Sequence, residues 1–323
     1  MSTKILIFNQ DHYNHCNATL IEGLIKNKEE YDLQIFCSTS NNYATVRGSW
    51  DHTIYDPEML KKIYDIADII VLPNGITLNP HAYDLSVLKD KGVFLDTNDF
   101  CGDVESPEKY KLYLKREMRV DKGYAENVFP YCFGAEDRYF YGGTNFKDIW
   151  NKKHLDLVCM MGIDDEKPWR KEIQDRLLED YSDNENMQIG TVYGDNNDSD
   201  LITDSRNHSK YFDKMISGKI SVDGYGARGA NNTGRFFESI ACGCALFYQT
   251  INIHFPNGFV DGEDIVLFHS AQELVDSVDH FLAHPNDLKQ LAENAFERLM
   301  TYHTTERRGF EFIQLCGGHG MIK

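Results

Sequence analysis

Short apolar runs alternating with helical patterns constrain this chain's fold more than any other feature. Apolar runs stand at residues 4–8, 33–37, 69–73 and 93–95, with helical patterns at 18–28, 58–67 and 85–91 between or beside them. The second half repeats the scheme, with runs at 157–161, 188–193, 219–222, 245–248 and 265–268 and helices at 170–181, 209–217, 271–283 and 285–303. Strands buried on both faces read as continuous apolar runs, and such alternation builds parallel sheets covered by helices. Residues 107–120, rich in Lys, Tyr and Leu, read as one more helix. A chain of 323 residues is long for one core and comfortable for two. The polar stretch 142–154 is the expected boundary between two Rossmann-like α/β halves.

The segment SVDGYGARGANNTGRFFESIACGCALFYQT, residues 221–250, carries the densest chemistry. Gly224, Gly226 and Gly229 let a loop approach a ligand closely. Thr233 stands where a helix N-cap is expected, followed by Gly234, and the N–H groups of that first turn suit an anion. Arg235 adds a forked cation at the helix start, while Glu238 offers a carboxylate able to accept from two vicinal ribose hydroxyls. Diphosphate at the helix start and ribose one turn away make a coherent nucleotide site. An ordinary loop–helix–strand unit with solvated Arg and Glu shares the same spacing.

Residues 235–243, RFFESIACG, resemble the Arg-x-x-Glu-(Ser/Ala)-x-Ala-(Cys/Ser)-Gly segment of GT-B glycosyltransferases of group 1 type, closest to the CgeB-like spore-maturation family. The resemblance continues through Phe255-Pro256, Gly262-Glu263-Asp264, the run at 270–274, the run at 281–285, Tyr302-His303-Thr304 and Arg307-Arg308. It spans about residues 211–308, with a weaker echo at 114–117, Phe129-Pro130 and Phe133-Gly134. It implies two Rossmann-like domains facing each other across a cleft. These are an acceptor domain at 1–145, a nucleotide-sugar donor domain at 146–308 and a terminal segment, 309–323, packing back on the first domain. It also implies a donor site drawn from Gly162, Arg170, Gly224, Gly226, Thr233, Gly234, Arg235, Glu238 and Ser239, with a UDP-sugar as donor substrate and no cofactor. Many retaining group 1 enzymes carry two Glu two helical turns apart. The position matching the first is Ala230 here, so retention of anomeric configuration does not follow.

The base that would take an acceptor's proton is expected in the first half, in loops at strand ends. His12, Asp11 and Asp99 are the candidates, and each also fits as a loop cap or turn former. Lys115 and Arg116 are further cations of that half. His12, His15 and Cys16 lie close together, yet no second ligand pair with zinc spacing accompanies them. The Asp198-Ser199-Asp200 triplet sits in an Asn/Asp-rich loop suited to water, so no metal is expected.

A formal charge of −18 opposes non-specific binding to nucleic acid or an anionic membrane, although a local basic groove leaves a modified-base acceptor open. No window approaches the ~20 apolar residues of a membrane span, and the opening apolar strand is interrupted by Asn9, unlike a signal peptide. Eight scattered Cys read as reduced thiols, which points to the cytoplasm. Three functions compete: a metal-independent glycosyltransferase acting on a hydroxyl acceptor, a sugar-nucleotide epimerase of the same fold, and a non-catalytic nucleotide-sugar-binding module.

Overall fold

The structure, a computed structural model, describes residues 2–9, 14–38, 55–98, 104–163, 165, 167–190, 205–226, 233–250 and 252–322. Contacts divide the chain into two compact units. The first comprises Met1–Glu136, Ile253–Pro256 and His303–Lys323, and the second Asp137–Asn252 and Asn257–Tyr302. Each holds one parallel sheet among the described residues, so each is Rossmann-like, and two such units are the parts from which GT-B enzymes are built.

In the first unit, β1 (Thr3–Ile7), β2 (Leu33–Cys37), β3 (Ile69–Pro73), β4 (Gly92–Asp96), β5 (Leu112–Lys115) and β6 (Val128–Pro130) form a sheet ordered β2-β1-β3-β4-β5-β6. Every pairing in it is parallel. β1 enters α1 (His15–Lys26), whose N-cap Asn14 accepts from the backbone N–H groups of Cys16 and Asn17. α2 (Pro57–Ile66) begins with Pro57 behind an Asp56 cap, the arrangement favoured at a first helical turn. The expected helix at 85–91 is a 3₁₀ turn, Leu85–Val87, running into α3 (Leu88–Lys91).

The helix expected over 107–120 does not form. Only Pro107–Lys109 turns, as a 3₁₀ segment, and the chain then enters β5. Leu112, Tyr113, Leu114 and Lys115 are all buried, because β5 lies between β4 and β6 with both faces covered. Placement inside the sheet overrides the modest helix preference of Leu and Lys.

The second unit builds β7 (Leu155–Cys159), β8 (Met187–Ile189), β9 (Gly218–Asp223), β10 (Ala245–Gln249) and β11 (Val266–Phe268) into a parallel sheet ordered β11-β10-β9-β7-β8. Its helices are α4 (Phe146–Trp150), α5 (Pro168–Tyr181), α6 (Ser205–Ser217), α7 (Gly234–Ala241), α8 (Ala271–Ala283) and α9 (Pro285–Tyr302). The core gathers Leu157, Cys159, Ile220, Val222 and Phe247 from the strands with Leu274, Val278, Leu291 and Phe296 from α8 and α9. None of the described helices is long and apolar enough to cross a membrane.

The chain then re-enters the first unit through α10 (Thr305–Gly318), capped by the Thr304 side chain. α10 lies against α1, where Gly23 meets Gly309 and the carbonyl of Thr305 so closely that no Cβ fits between them. Arg308, 2% exposed, donates to the carbonyl of Phe133 and to Glu311.

Candidate functional site

Strand order in the second sheet reverses at β7 and β9, since β8 extends it on one side and β10 on the other. Open parallel sheets bind ligands outside the carboxyl ends of strands at such a point. The carboxyl end of β7 leads to Gly162, and that of β9 is Asp223, followed by Gly224.

Arg170, in the first turn of α5, holds these two ends together. Its Nη1 donates to the carbonyl of Gly162 at 3.3 Å, and its Nη2 to those of Tyr225 at 3.2 Å and Gly224 at 3.4 Å. The side chain is 7% exposed, so Arg170 braces both loops with its fork. Space at Gly224 is tight: a Cβ there would stand 3.0 Å from Gln249 Oε1, the end of a side chain, and in ordinary contact with Ile173 and Met161 at 3.8 Å. Around Gly162, by contrast, a Cβ would meet nothing within 4 Å.

Asp223 organises the start of α7. It is completely buried, with Oδ2 accepting from the Thr233 hydroxyl at 2.8 Å and Oδ1 from Arg235 Nη1 at 3.4 Å. Thr233 occupies the N-cap position in extended backbone, yet its hydroxyl caps no helix N–H group. The Thr233 hydroxyl is spent on Asp223 and so does not cap the first turn of α7. Arg235 keeps 17% of its side chain exposed while Asp223 steers its guanidinium to the helix start. One turn on, Glu238 Oε2 accepts from the Tyr211 hydroxyl at 2.7 Å, and Oε1 carries no hydrogen bond among the described residues. Burial, reinforced by the neighbouring Glu238, pushes the Tyr211 phenol well above its ordinary value, so it stays a donor to that carboxylate.

Ser239 faces the other way. It is 0% exposed and its hydroxyl shares a hydrogen bond with Ser221 at 2.8 Å, fastening α7 to β9. Gly226 is buried in the loop after β9, and Gly234 is the first residue of α7.

Three buried polar atoms at these strand ends lack a hydrogen-bond partner among the described residues: Arg170 Nε, Trp169 Nε1 and Gln249 Oε1. The Trp169 ring lies 4.8 Å from that of Tyr225. Unpaired buried polar atoms are costly. Asp223, Tyr211, Trp169 and Gln249 escape a sequence reading of the site. Asp223 had the clearest signal, a lone carboxylate ending an apolar strand just before the glycine loop.

In the first unit, Lys115 and Arg116 are committed internally. Lys115 is 1% exposed and donates to Asp96 at 2.9 Å. Arg116 donates to the carbonyl of Thr97 at 3.2 Å, pairs with Glu117 and lies over the Phe133 ring at 4.9 Å. The base candidates His12, Asp11 and Asp99 lie outside the described residues, as do Gly229, Ala230 and the Asp198-Ser199-Asp200 triplet. No group of three or more metal-ligating side chains occurs among the described residues.

Known proteins place this architecture in a class. Residues 171–314, which span the whole Arg235–Glu238 region, match the family model described as glycosyl transferase-like. Solved structures with the same fold include an alpha-glucosyltransferase in complex with UDP and a 13-mer DNA containing a HMU base. That structure has a TM-score of 0.66 and 10% identity, over 98% of this chain and 100% of that one. Sucrose-phosphate synthase from Thermosynechococcus elongatus superposes with a TM-score of 0.56 at 10% identity, covering 98% of each chain. A putative UDP-N-acetylglucosamine 2-epimerase from Listeria monocytogenes gives 0.55 at 10% identity, over 99% and 97%. No curated protein matches the sequence. The fold is therefore that of GT-B glycosyltransferases.

Proposed function

We propose that the chain is a cytosolic, metal-independent glycosyltransferase of CgeB-like type that moves a sugar from a nucleoside-diphosphate sugar, preferably a UDP-sugar, to a hydroxyl acceptor. The observation that carries this reading is the Asp223 clamp. A fully buried carboxylate consumes the Thr233 hydroxyl and aims Arg235, so a helix start that its own N-cap residue does not cap and a cation converge at the strand-order reversal. Arg235 and the first-turn N–H groups of α7 would hold the diphosphate and stabilise the charge that develops on it as it leaves. Glu238 would accept from the ribose hydroxyls through Oε1 while Tyr211 fixes Oε2. Gly162 and Gly224, tied by Arg170, leave room beside the diphosphate. Ser239, turned into the core, plays no part in the proposed contacts.

Calorimetric titration of UDP tests the donor site. Glu238→Ala is expected to weaken binding by about 1–3 kcal/mol, the scale of leaving polar partners unpaired, and Arg235→Ala by a similar amount. Unchanged affinity in both variants would remove the reading.

Turnover tests the rest. Release of UDP from UDP-glucose is expected to persist in EDTA, because Arg235 and helix N–H groups supply the positive charge. Loss of release in EDTA, restored by Mn²⁺ or Mg²⁺, would show that a metal is needed. Interconversion of the sugar would favour an epimerase, and binding without turnover a non-catalytic module. The acceptor is left as a hydroxyl of unspecified class, with the charge of −18 weighing against nucleic acid.

A further inference from the structure

α8 carries one histidine on its last turn, His280, and another, His284, at its C-cap. Residues four apart on a helix are neighbours on one face, so the two side chains stand one above the other. Their ring centroids are 4.4 Å apart and the ring planes lie 30° from parallel. His284 Nδ1 donates to the carbonyl of His280 at 2.7 Å. A carbonyl only accepts, so this bond puts the proton on Nδ1 and leaves a lone pair on Nε2. Metal-bound histidines are held in the same way, with the second ring nitrogen donating to a carbonyl or carboxylate. The His280 ring makes no hydrogen bond among the described residues.

The surroundings favour a cation. His280 lines an open recess of about 480 Å³ together with Glu263, Asp287, Gln290 and Asn294. That lining holds two carboxylates and no Lys or Arg, in a chain whose formal charge is −18. α8 starts beyond the carboxyl end of β11 and runs back along it, which brings its last turn towards the amino end of that strand. Glu263, which precedes β11, lines the same recess. Asp223 and the start of α7 stand at the opposite, carboxyl end of the sheet, so the recess is separate from the donor site.

We propose that His280 and His284 form a two-imidazole site for a divalent transition ion of the Zn²⁺, Ni²⁺ or Cu²⁺ class. Imidazole nitrogen suits these ions, and histidines at i and i+4 are the spacing by which one helix face grips zinc. Both side chains are exposed, and exposed side chains change rotamer within nanoseconds, so both Nε2 atoms can turn to one ion. No group of three ligating side chains occurs among the described residues, so water fills the remaining positions. The bound ion clips the last turn of α8 where the chain enters α9.

The experiment titrates Zn²⁺ calorimetrically into the full chain after EDTA treatment and buffer exchange, and follows substoichiometric Cu²⁺ by electron paramagnetic resonance. The parent is expected to take up Zn²⁺ saturably, and His280→Ala to lose at least about tenfold in affinity. His284→Gln, whose amide can still donate to the His280 carbonyl, should fold normally and lose as much. Nitrogen hyperfine structure should report two imidazoles on Cu²⁺ in the parent and one in His280→Ala. UDP affinity should stay within about twofold of the parent in both variants, since distant sites act independently. Zn²⁺ affinity unchanged in both variants would overturn the proposal, because the ion would then sit on other residues. So would the absence of saturable binding up to about 1 mM Zn²⁺, or a single imidazole on Cu²⁺ in the parent. A matching fall in UDP affinity would tie the pair to the donor site and overturn its assignment as a separate one.

Discussion

Replacing Asp96 by alanine is expected to destabilise the first unit by about 3–5 kcal/mol, the cost of breaking a buried ion pair from one side. Asp96 ends β4 and is 5% exposed. Its Oδ2 accepts from Lys115 Nζ at 2.9 Å and from the Tyr113 hydroxyl at 3.1 Å, and Oδ1 accepts from the backbone N–H of Asn98 at 3.2 Å. Lys115 is 1% exposed, so the ammonium that loses this carboxylate has little water to turn to. Tyr113 loses its acceptor as well. Burial, the largest cause of its raised phenol, persists without Asp96 and disfavours its ionising to compensate. Urea unfolding, followed by a probe within the first unit, measures the cost, because a two-unit chain need not unfold in one step. Adding Lys115→Met should recover most of the loss, since it removes the charge that Asp96→Ala strands. A single-variant cost below about 1 kcal/mol would mean that the pair is solvated in solution.

Much of this fold was legible because parallel strands covered on both faces leave continuous apolar runs. Residues 69–73, IIVLP, are buried without exception, and the run at 245–248 likewise. Residues 112–115 misled because Leu-Tyr-Leu-Lys carries the same composition in a helix as in a strand. Only neighbours on both sides decide the matter. α10 was legible only as a terminal segment, although its buried Phe312, Ile313 and Cys316 follow helical spacing.

At the candidate site, the glycine loop, Arg235 and Glu238 stood out because they are local in sequence. Arg170 showed as a cation at a helix start, but its engagement with the carbonyls of Gly162, Gly224 and Tyr225 depends on bringing β7 and β9 side by side. The contact of Glu238 with Tyr211 likewise joins two helices that have β9 between them in the chain. Periodicity reports which face of an element is buried. It is silent on which distant partner the buried face will meet.

Two substitutions on one helix should separate helix propensity from helix contact. Alanine is favoured over glycine by about 1 kcal/mol in a helix interior, so propensity alone makes any Gly→Ala change in α10 stabilising. At Gly309 geometry reverses the sign. A Cβ there would lie 2.3 Å from the backbone carbon and 2.4 Å from the carbonyl oxygen of Gly23. From the other side, a Cβ on Gly23 would lie 2.1 Å from the carbonyl oxygen of Thr305. These are backbone atoms, which cannot turn aside as a side chain can, so α1 and α10 must move apart. Separation would stretch three polar contacts across the crossing: Asn27 Nδ2 to the Glu306 carbonyl at 2.9 Å, Lys26 Nζ to Thr305 Oγ1 at 3.1 Å, and the Thr305 hydroxyl to Glu22 at 2.7 Å. Gly309→Ala is therefore expected to cost about 3 kcal/mol, the upper end of overpacking in a tight core. Gly317, near the end of the same helix, has nothing within 4 Å of its would-be Cβ. Gly317→Ala should stabilise by a few tenths of a kcal/mol, less than the full propensity because the last turn frays. Chemical denaturation of the two variants beside the parent reads both signs at once. Equal stability of the two would show that α1 and α10 do not meet at the Gly23–Gly309 pair. Opposite signs would tie the terminal helix to α1, and with it the position of Arg308, which donates to the carbonyl of Phe133 from the same helix.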